Sequence, residues 1–324
     1  MDVLIVEPIA AEVMHWLAAR HALRLAPELA GDPLAFRAAL SQVRSVIAPP
    51  SVLLDGPVLW MAPHLRAIGR VSAGLEQIDL DACARAGVEV IRAVAASAAA
   101  EAEFVIGALL ALLRRVPILN DEGLLVGREL GASTVGIVGA TPTTIQLAGL
   151  LKAFGARVLG YDPGVHVDDP SWAQAGMRGV GLADLVRESD SVCVLLTHYT
   201  RFSGLFGERL LSAAKPNQVI VNLGHSTLFD EVALAHALRE GPLAAAWFDS
   251  LEPGAQDPGR PLRHLDMLQV TPRVASTTRE SRLRSAWVVA QRIDTILQAA
   301  PARGPVKPLA AGGTAGPAGA PKPV

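Results

Sequence analysis

Cysteine is almost missing from this chain. Cys83 and Cys193 are the only two in 324 residues, too few for a disulfide scaffold or a four-cysteine zinc site. An excess of one sign of charge is missing as well: 29 Lys and Arg stand against 31 Asp and Glu, a formal net charge of −2. Phosphate backbones are gripped by clustered positive charge, so this balance argues against a nucleic-acid surface or a polybasic membrane patch. The opening MDVLIVEPIA has Asp2 and Glu7 but no basic stretch, and does not read as a secretory signal. The longest clean apolar run, Phe104 to Leu113, is too short to span a bilayer. The expectation is a soluble cytoplasmic protein.

Apolar residues make up 51% of the chain. That is ample for two cores, and at about 150 residues per domain the length predicts two domains. Residues 301–324 are mostly Pro, Gly and Ala without an aromatic ring. Such a segment cannot bury enough surface to offset its ordering entropy, so a disordered tail is predicted.

Short apolar strands alternate with helices along residues 1–97. Strands are predicted at Asp2–Val6, Leu23–Ala26, Ser45–Ala48, Ala67–Val71 and Glu89–Ile91. Ala10, Val13, Met14 and Leu17 recur at helical spacing between the first two, and Gly87 reads as a helix stop. A long helix is predicted from about Ser97 to Arg114, with Pro117 beyond it. A second series follows, with strands at Thr134–Val138, Arg157–Tyr161, Ser191–Leu195, Val219–Asn222, Ala244–Phe248 and Met267–Val270. Thr277 and Glu280 form a candidate capping box for a last helix reaching about Leu297. The pattern predicts an α/β protein with parallel sheets covered on both faces.

The segment TVGIVGATPTTIQLAGLLKAFGARVLGYDP reads as strand, tight turn, helix, glycine stop and a second strand ending in an acid. That is a mononucleotide-binding unit, in which Asp162 is placed to accept both ribose hydroxyls of an adenosine. With it stand GRVSAGLEQIDLDACARAGVEV, AEAEFVIGALLALLRR, KPNQVIVNLGHSTLFDEVALAHAL and AAAWFDSLEP followed by QVTPRVAS. In their order and spacing these segments resemble the D-2-hydroxyacid dehydrogenase family over nearly all of residues 1–298. The resemblance implies two doubly wound parallel-sheet domains: a flavodoxin-like substrate domain of residues 1–97 and 279–300, and a Rossmann domain of residues 98–278. It further implies NAD as cofactor, favoured over NADP by Asp162, and a small carboxylate substrate. In relatives the long helix and a following arm form a homodimer interface. Here Asn120–Val126 makes a shorter arm, and a homodimer is expected.

The chain departs from the family at its chemical positions. The phosphate loop G-x-G-x-x-G becomes Gly139, Thr141 and Thr144, with Pro142 and Thr143 between. The second and third glycines allow backbone approach to the pyrophosphate and close helix–strand packing, and Pro142 has no N–H to offer. Either the loop has drifted from dinucleotide binding, or its threonine hydroxyls replace the lost amides. Proline in a first turn suits a helix, so the fold expectation is unaffected. The family's catalytic Arg, Glu and His positions are occupied by His225, Glu252 and Arg273. Arginine does not release its proton near neutral pH, so Arg273 is suited to anchor a carboxylate and His225 to take the acid/base role. The opposite reading makes Arg273 and Glu252 a structural ion pair on a non-catalytic binding or regulatory protein. A third has His225 as the base of a non-redox reaction. The substrate-facing turn reads Ser72, Ala73, Gly74, where the family has a glycine in place of Ser72. Phe104 replaces a polar ring and is read as helix packing, Asp249 as a structural hydrogen-bonding residue, and His198 and Tyr199 as surface residues. The remaining histidines lack metal-ligand spacing, and no metal is expected.

Overall fold

The computed structural model describes residues 1–299 except 73, 75, 76, 116, 117 and 197–199. Ala73, Pro117, His198, Tyr199 and the tail 301–324 therefore lie outside the described residues. Two units are distinguished. One comprises residues 1–70 and 74–91 with the chain from 289 onward, the other residues 71–73 and 92–288.

In the first unit the strands are β1 (Val3–Ile5), β2 (Leu23–Leu25), β3 (Ser45–Ile47), β4 (Ala67–Arg70) and β5 (Glu89–Arg92), in the order β2-β1-β3-β4-β5. β1 pairs in parallel with β2 and β3, and β3 with β4. This is the flavodoxin-like order. β1 and β3 are three-residue strands buried on both faces, which explains their unbroken apolar lettering. The helices are α1 (Ala11–Ala18), α2 (Pro33–Leu40), α3 (Gly56–Trp60) and α4 (Leu80–Ala86). Asp32, Asp55 and Asp79 cap the last three by accepting first-turn amides. Gly87 ends α4 in the left-handed region at φ 69°, as the sequence predicts. Phe36, Leu40, Val58, Leu59 and Cys83 pack beneath Leu4, Val46 and Ile68, and burial pushes the Cys83 thiol up to about 11.

The second unit opens with α5 (Ala98–Arg115) and an antiparallel hairpin, β6 (Ile118–Leu119) with β7 (Leu125–Val126). Its main sheet contains β8 (Thr134–Val138), β9 (Arg157–Tyr161), β10 (Arg178–Gly179), β11 (Ser191–Val194), β12 (Gln218–Asn222), β13 (Leu243–Phe248) and β14 (Leu268–Val270). The order is β10-β9-β8-β11-β12-β13-β14, parallel throughout. The order reverses between β8 and β11, the Rossmann switch point. The helices are α6 (Pro142–Phe154), α7 (Pro170–Gln174), α8 (Leu182–Glu188), α9 (Glu208–Leu211) and α10 (Glu231–Arg239), and α11 (Arg279–Gln298) belongs to this unit up to Val288 and to the first from Val289. Side chains alternate across the sheet. Val135, Ile137, Cys193, Val219 and Val221 meet α5 and α6, while Val138, Val192, Val194 and Ile220 meet α8, α9 and α10.

α6 shows how the sequence builds a helix here. Thr141 is its N-cap residue, Pro142 opens the first turn, and Gly155 closes it at φ 92°. Leu147, Ala148 and Leu151 form its buried stripe, and each leucine contributes about 2 kcal/mol by leaving water. The capping box predicted for α11 falls one residue later. Thr278 and Ser281 exchange amide-to-hydroxyl bonds, because Thr277 instead donates its hydroxyl to the Arg273 carbonyl.

Candidate active site

Three adjacent parallel strands, β12, β13 and β14, carry His225, Glu252 and Arg273 on the loops beyond their C-terminal ends. Those ends are where open α/β sheets bind ligands. Asn222, the last residue of β12 and fully buried, folds the chain back. Its Oδ1 accepts the Gly224 amide and its Nδ2 donates to the Gly224 carbonyl. His225 follows at once. Its Nε2 lies 3.1 Å from Glu252 Oε1, and its Nδ1 lies 2.7 Å from Thr227 Oγ1. The Glu252 amide donates to Ser226 Oγ at 3.0 Å, tying the two loops together. The His225 side chain is 28% exposed and that of Glu252 40%, so both are open to a ligand. A cavity of about 640 Å³ opens at Glu252, lined by Ser250, Glu252, Thr271 and Arg273 among others.

Asp249 organises the third loop. Its carboxylate accepts the Thr271 hydroxyl and the amides of Val274 and Ala275, its carbonyl accepts the Arg273 amide at 2.6 Å, and its own amide donates to the Asn222 carbonyl. This fits the structural role expected of it. Arg273 sits in the left-handed region at φ 55°, a conformation non-glycine residues hold only where the surroundings impose it. Phe104 packs edge-on against Trp247 at 5.7 Å, as expected for a packing residue.

The expected cofactor residues gather at the switch point. Gly139 follows β8 at φ 114°, and a Cβ there would stand 2.7 Å from the Leu196 amide nitrogen, so only glycine fits. Asp162 directly follows β9, accepting the Ala140 amide at 2.8 Å and the Gly164 amide at 2.7 Å. Two oxygens with about four lone-pair sites retain room for ribose hydroxyls. The threonine hydroxyls are engaged within the protein. Thr144 donates to the Gly139 carbonyl and accepts the Thr141 amide, Thr141 Oγ1 meets Thr144 Oγ1 at 3.3 Å, and Thr143 donates to Glu101 Oε2 at 2.5 Å. Hydroxyls that replace the lost amides are thus not what the loop presents. The N-terminal end of α6 and Asp162 fit the diphosphate and the adenosine ribose of a dinucleotide.

At the remaining expected positions, Ser72 Oγ accepts from Arg282 Nη1 at 3.4 Å and Gly74 adopts φ 105°. Among the described residues no three His, Cys, Asp or Glu cluster as metal ligands, and no helix is long and apolar enough to cross a membrane. Sequence reasoning missed Thr227 and Glu101. Thr227 had a local signal, a hydroxyl two residues after the histidine. The contact of Glu101 with Thr143 had none, because the two lie 42 residues apart.

The sequence model described as "D-isomer specific 2-hydroxyacid dehydrogenase, NAD binding domain" matches residues 107–275, the stretch that carries the switch point and all three strand-end residues. The D-3-phosphoglycerate dehydrogenase of Archaeoglobus fulgidus is 27% identical over 314 residues, 94% of this chain, and this chain spans 59% of that relative's length. The (S)-sulfolactate dehydrogenase of Chromohalobacter salexigens is 31% identical over 78% of this chain and 84% of its own. The crystal structure of the TT0316 protein from Thermus thermophilus superimposes with a TM-score of 0.76 at 25% identity, covering 95% of this chain and 100% of that one. The central stretch is thus an NAD-binding domain by sequence as well as by strand order, and the chain belongs to the D-isomer specific 2-hydroxyacid dehydrogenase family.

Proposed function

We propose that this protein is an NAD-linked oxidoreductase of a small 2-hydroxy or 2-oxo acid, with His225 as the acid/base, Glu252 as its positioning partner and Arg273 as the carboxylate anchor. The observation that carries the reading is the 3.1 Å contact of His225 Nε2 with Glu252 Oε1, on the sheet whose β8–α6 turn stands at the dinucleotide switch point. NAD, when bound, supplies or accepts the hydride. The chain must then exchange one proton with the substrate oxygen and hold the substrate carboxylate. His225 suits the first task near neutral pH. Arg273 keeps its charge and offers a planar fork matched to a carboxylate. Relative to the family these two cations have exchanged strands, so the substrate enters with its carboxylate toward β14. Gly139, Thr141, Pro142, Thr143 and Asp162 form the cofactor end, and the turn at Ser72, Ala73 and Gly74 belongs to the substrate pocket. Residues 1–97 with 279–300 act as substrate domain and residues 98–278 as nucleotide domain, in a cytoplasmic homodimer.

Calorimetric titration of the purified chain with NADH, NAD⁺ and NADPH tests the reading. NADH is expected to bind in the micromolar range, with NADPH weaker because Asp162 repels a 2′-phosphate. Turnover would then be sought with glyoxylate and with the 2-oxo forms of sulfolactate and 3-phosphoglycerate, after the named activities of relatives. No heat with any of the three at millimolar concentration would remove the dehydrogenase reading.

A further inference from the structure

We propose that Glu101 sets the strength of dinucleotide binding. It holds a carboxylate of the protein's own at the N-terminal end of α6, so the cofactor's diphosphate enters against an internal anion. The inference deepens the NAD-linked reading above and rests on it.

α6 is 13 residues long, and the N-terminal end of such a helix carries about half a positive charge that favours anions. That is the attraction a diphosphate uses at this fold's switch point. Here part of it already has a taker. Thr143, in the first turn and buried, donates its hydroxyl to Glu101 Oε2 at 2.5 Å. Ser97 Oγ holds the other oxygen, Oε1, at 2.9 Å. The carboxylate is therefore fixed between the first turns of α5 and α6 by two hydroxyls. The loop offers little to outweigh it. Pro142 lacks an N–H, the Ala140 amide is on Asp162, and the Thr141 amide is on Thr144 Oγ1. A like charge at a site with few free donors lowers affinity for a ligand bearing two negative phosphates.

The test is titration of the full chain and of Glu101→Gln with NADH and with ADP-ribose, which shares the diphosphate but lacks the nicotinamide. Glutamine keeps a carbonyl oxygen for Thr143 or Ser97, so the packing is retained, and thermal melting checks that it is. The variant is expected to bind both ligands about tenfold more tightly. The gap should narrow as salt rises from about 50 mM to about 0.5 M, because screening weakens the repulsion. Equal affinity of the two proteins, or a gap that ignores salt, would overturn the role of Glu101 and leave the NAD reading standing. Weaker binding by the variant would overturn it too, since Glu101 would then hold the cofactor instead of opposing it. If neither protein binds either ligand at millimolar concentration, the NAD reading itself falls.

Discussion

His225 is held at both ring nitrogens, and this constrains how it can act. A carboxylate only accepts, so pairing with Glu252 puts the proton of a neutral ring on Nε2 and leaves Nδ1 to receive the Thr227 hydroxyl. To take a proton from a substrate hydroxyl, Nδ1 must exchange Thr227 for substrate. His225→Gln removes the proposed acid/base while keeping a hydrogen-bonding side chain of similar length, and should lower kcat by at least about a hundredfold. Arg273→Lys keeps the charge but loses the fork, and should mainly raise KM. Steady-state kinetics with the preferred 2-oxo acid separates the two effects. Unchanged turnover in His225→Gln would mean that His225 is not the base. The sequence singles out His225, Glu252 and Arg273 as candidates because each follows a recognisable strand in a recognisable order. It does not reveal Thr143 with Glu101, or Thr278 with Ser281 in place of Thr277 with Glu280. Hydroxyl partners are chosen by geometry at the scale of single ångströms, which residue spacing alone does not fix.

Among elements, the β8–α6 turn tolerates little change at its glycine. Gly139→Ala would combine a left-handed backbone with a Cβ 2.7 Å from the Leu196 amide nitrogen. The expected loss is about 2 kcal/mol or more, read as a lower urea midpoint at unchanged slope. A melt indistinguishable from the native chain would mean the turn relaxes freely. The strands were legible because those buried on both faces are written as short unbroken apolar runs, and β8 and β9 have the predicted bounds. The β6–β7 hairpin and β10 were not legible. Two-residue strands are shorter than any periodic pattern, and tertiary contacts alone decide them.

At the scale of the whole molecule, the division into units runs where sequence punctuation gives no sign. α11 is continuous over 20 residues, yet the boundary falls inside it, between Val288 and Val289. From Val289 on, the helix packs on the first sheet: a Cβ on Gly69 of β4 would stand 2.3 Å from Val289 Cγ1. Glycine at that position is what lets the helix approach. The proposed homodimer is argued from α5 and the hairpin after it, where Leu119, Leu124 and Leu125 are 68%, 57% and 71% exposed. Three bare leucines on one hairpin are the kind of surface a partner covers. Sedimentation should therefore give twice the chain mass, and Leu119→Glu with Leu125→Glu should return it to one. A monomeric native chain would refute the assignment.

The loop after β14 has one further property. It is irregular in trace, yet Arg273, Val274 and Ala275 give three consecutive amides to a single residue, Asp249. Asp249 is itself anchored through Asn222 to the neighbouring strand. Exchange of those amide hydrogens with deuterium therefore waits on release of Asp249, not on the local fraying usual for loops. A segment that looks like a hinge keeps time with the sheet.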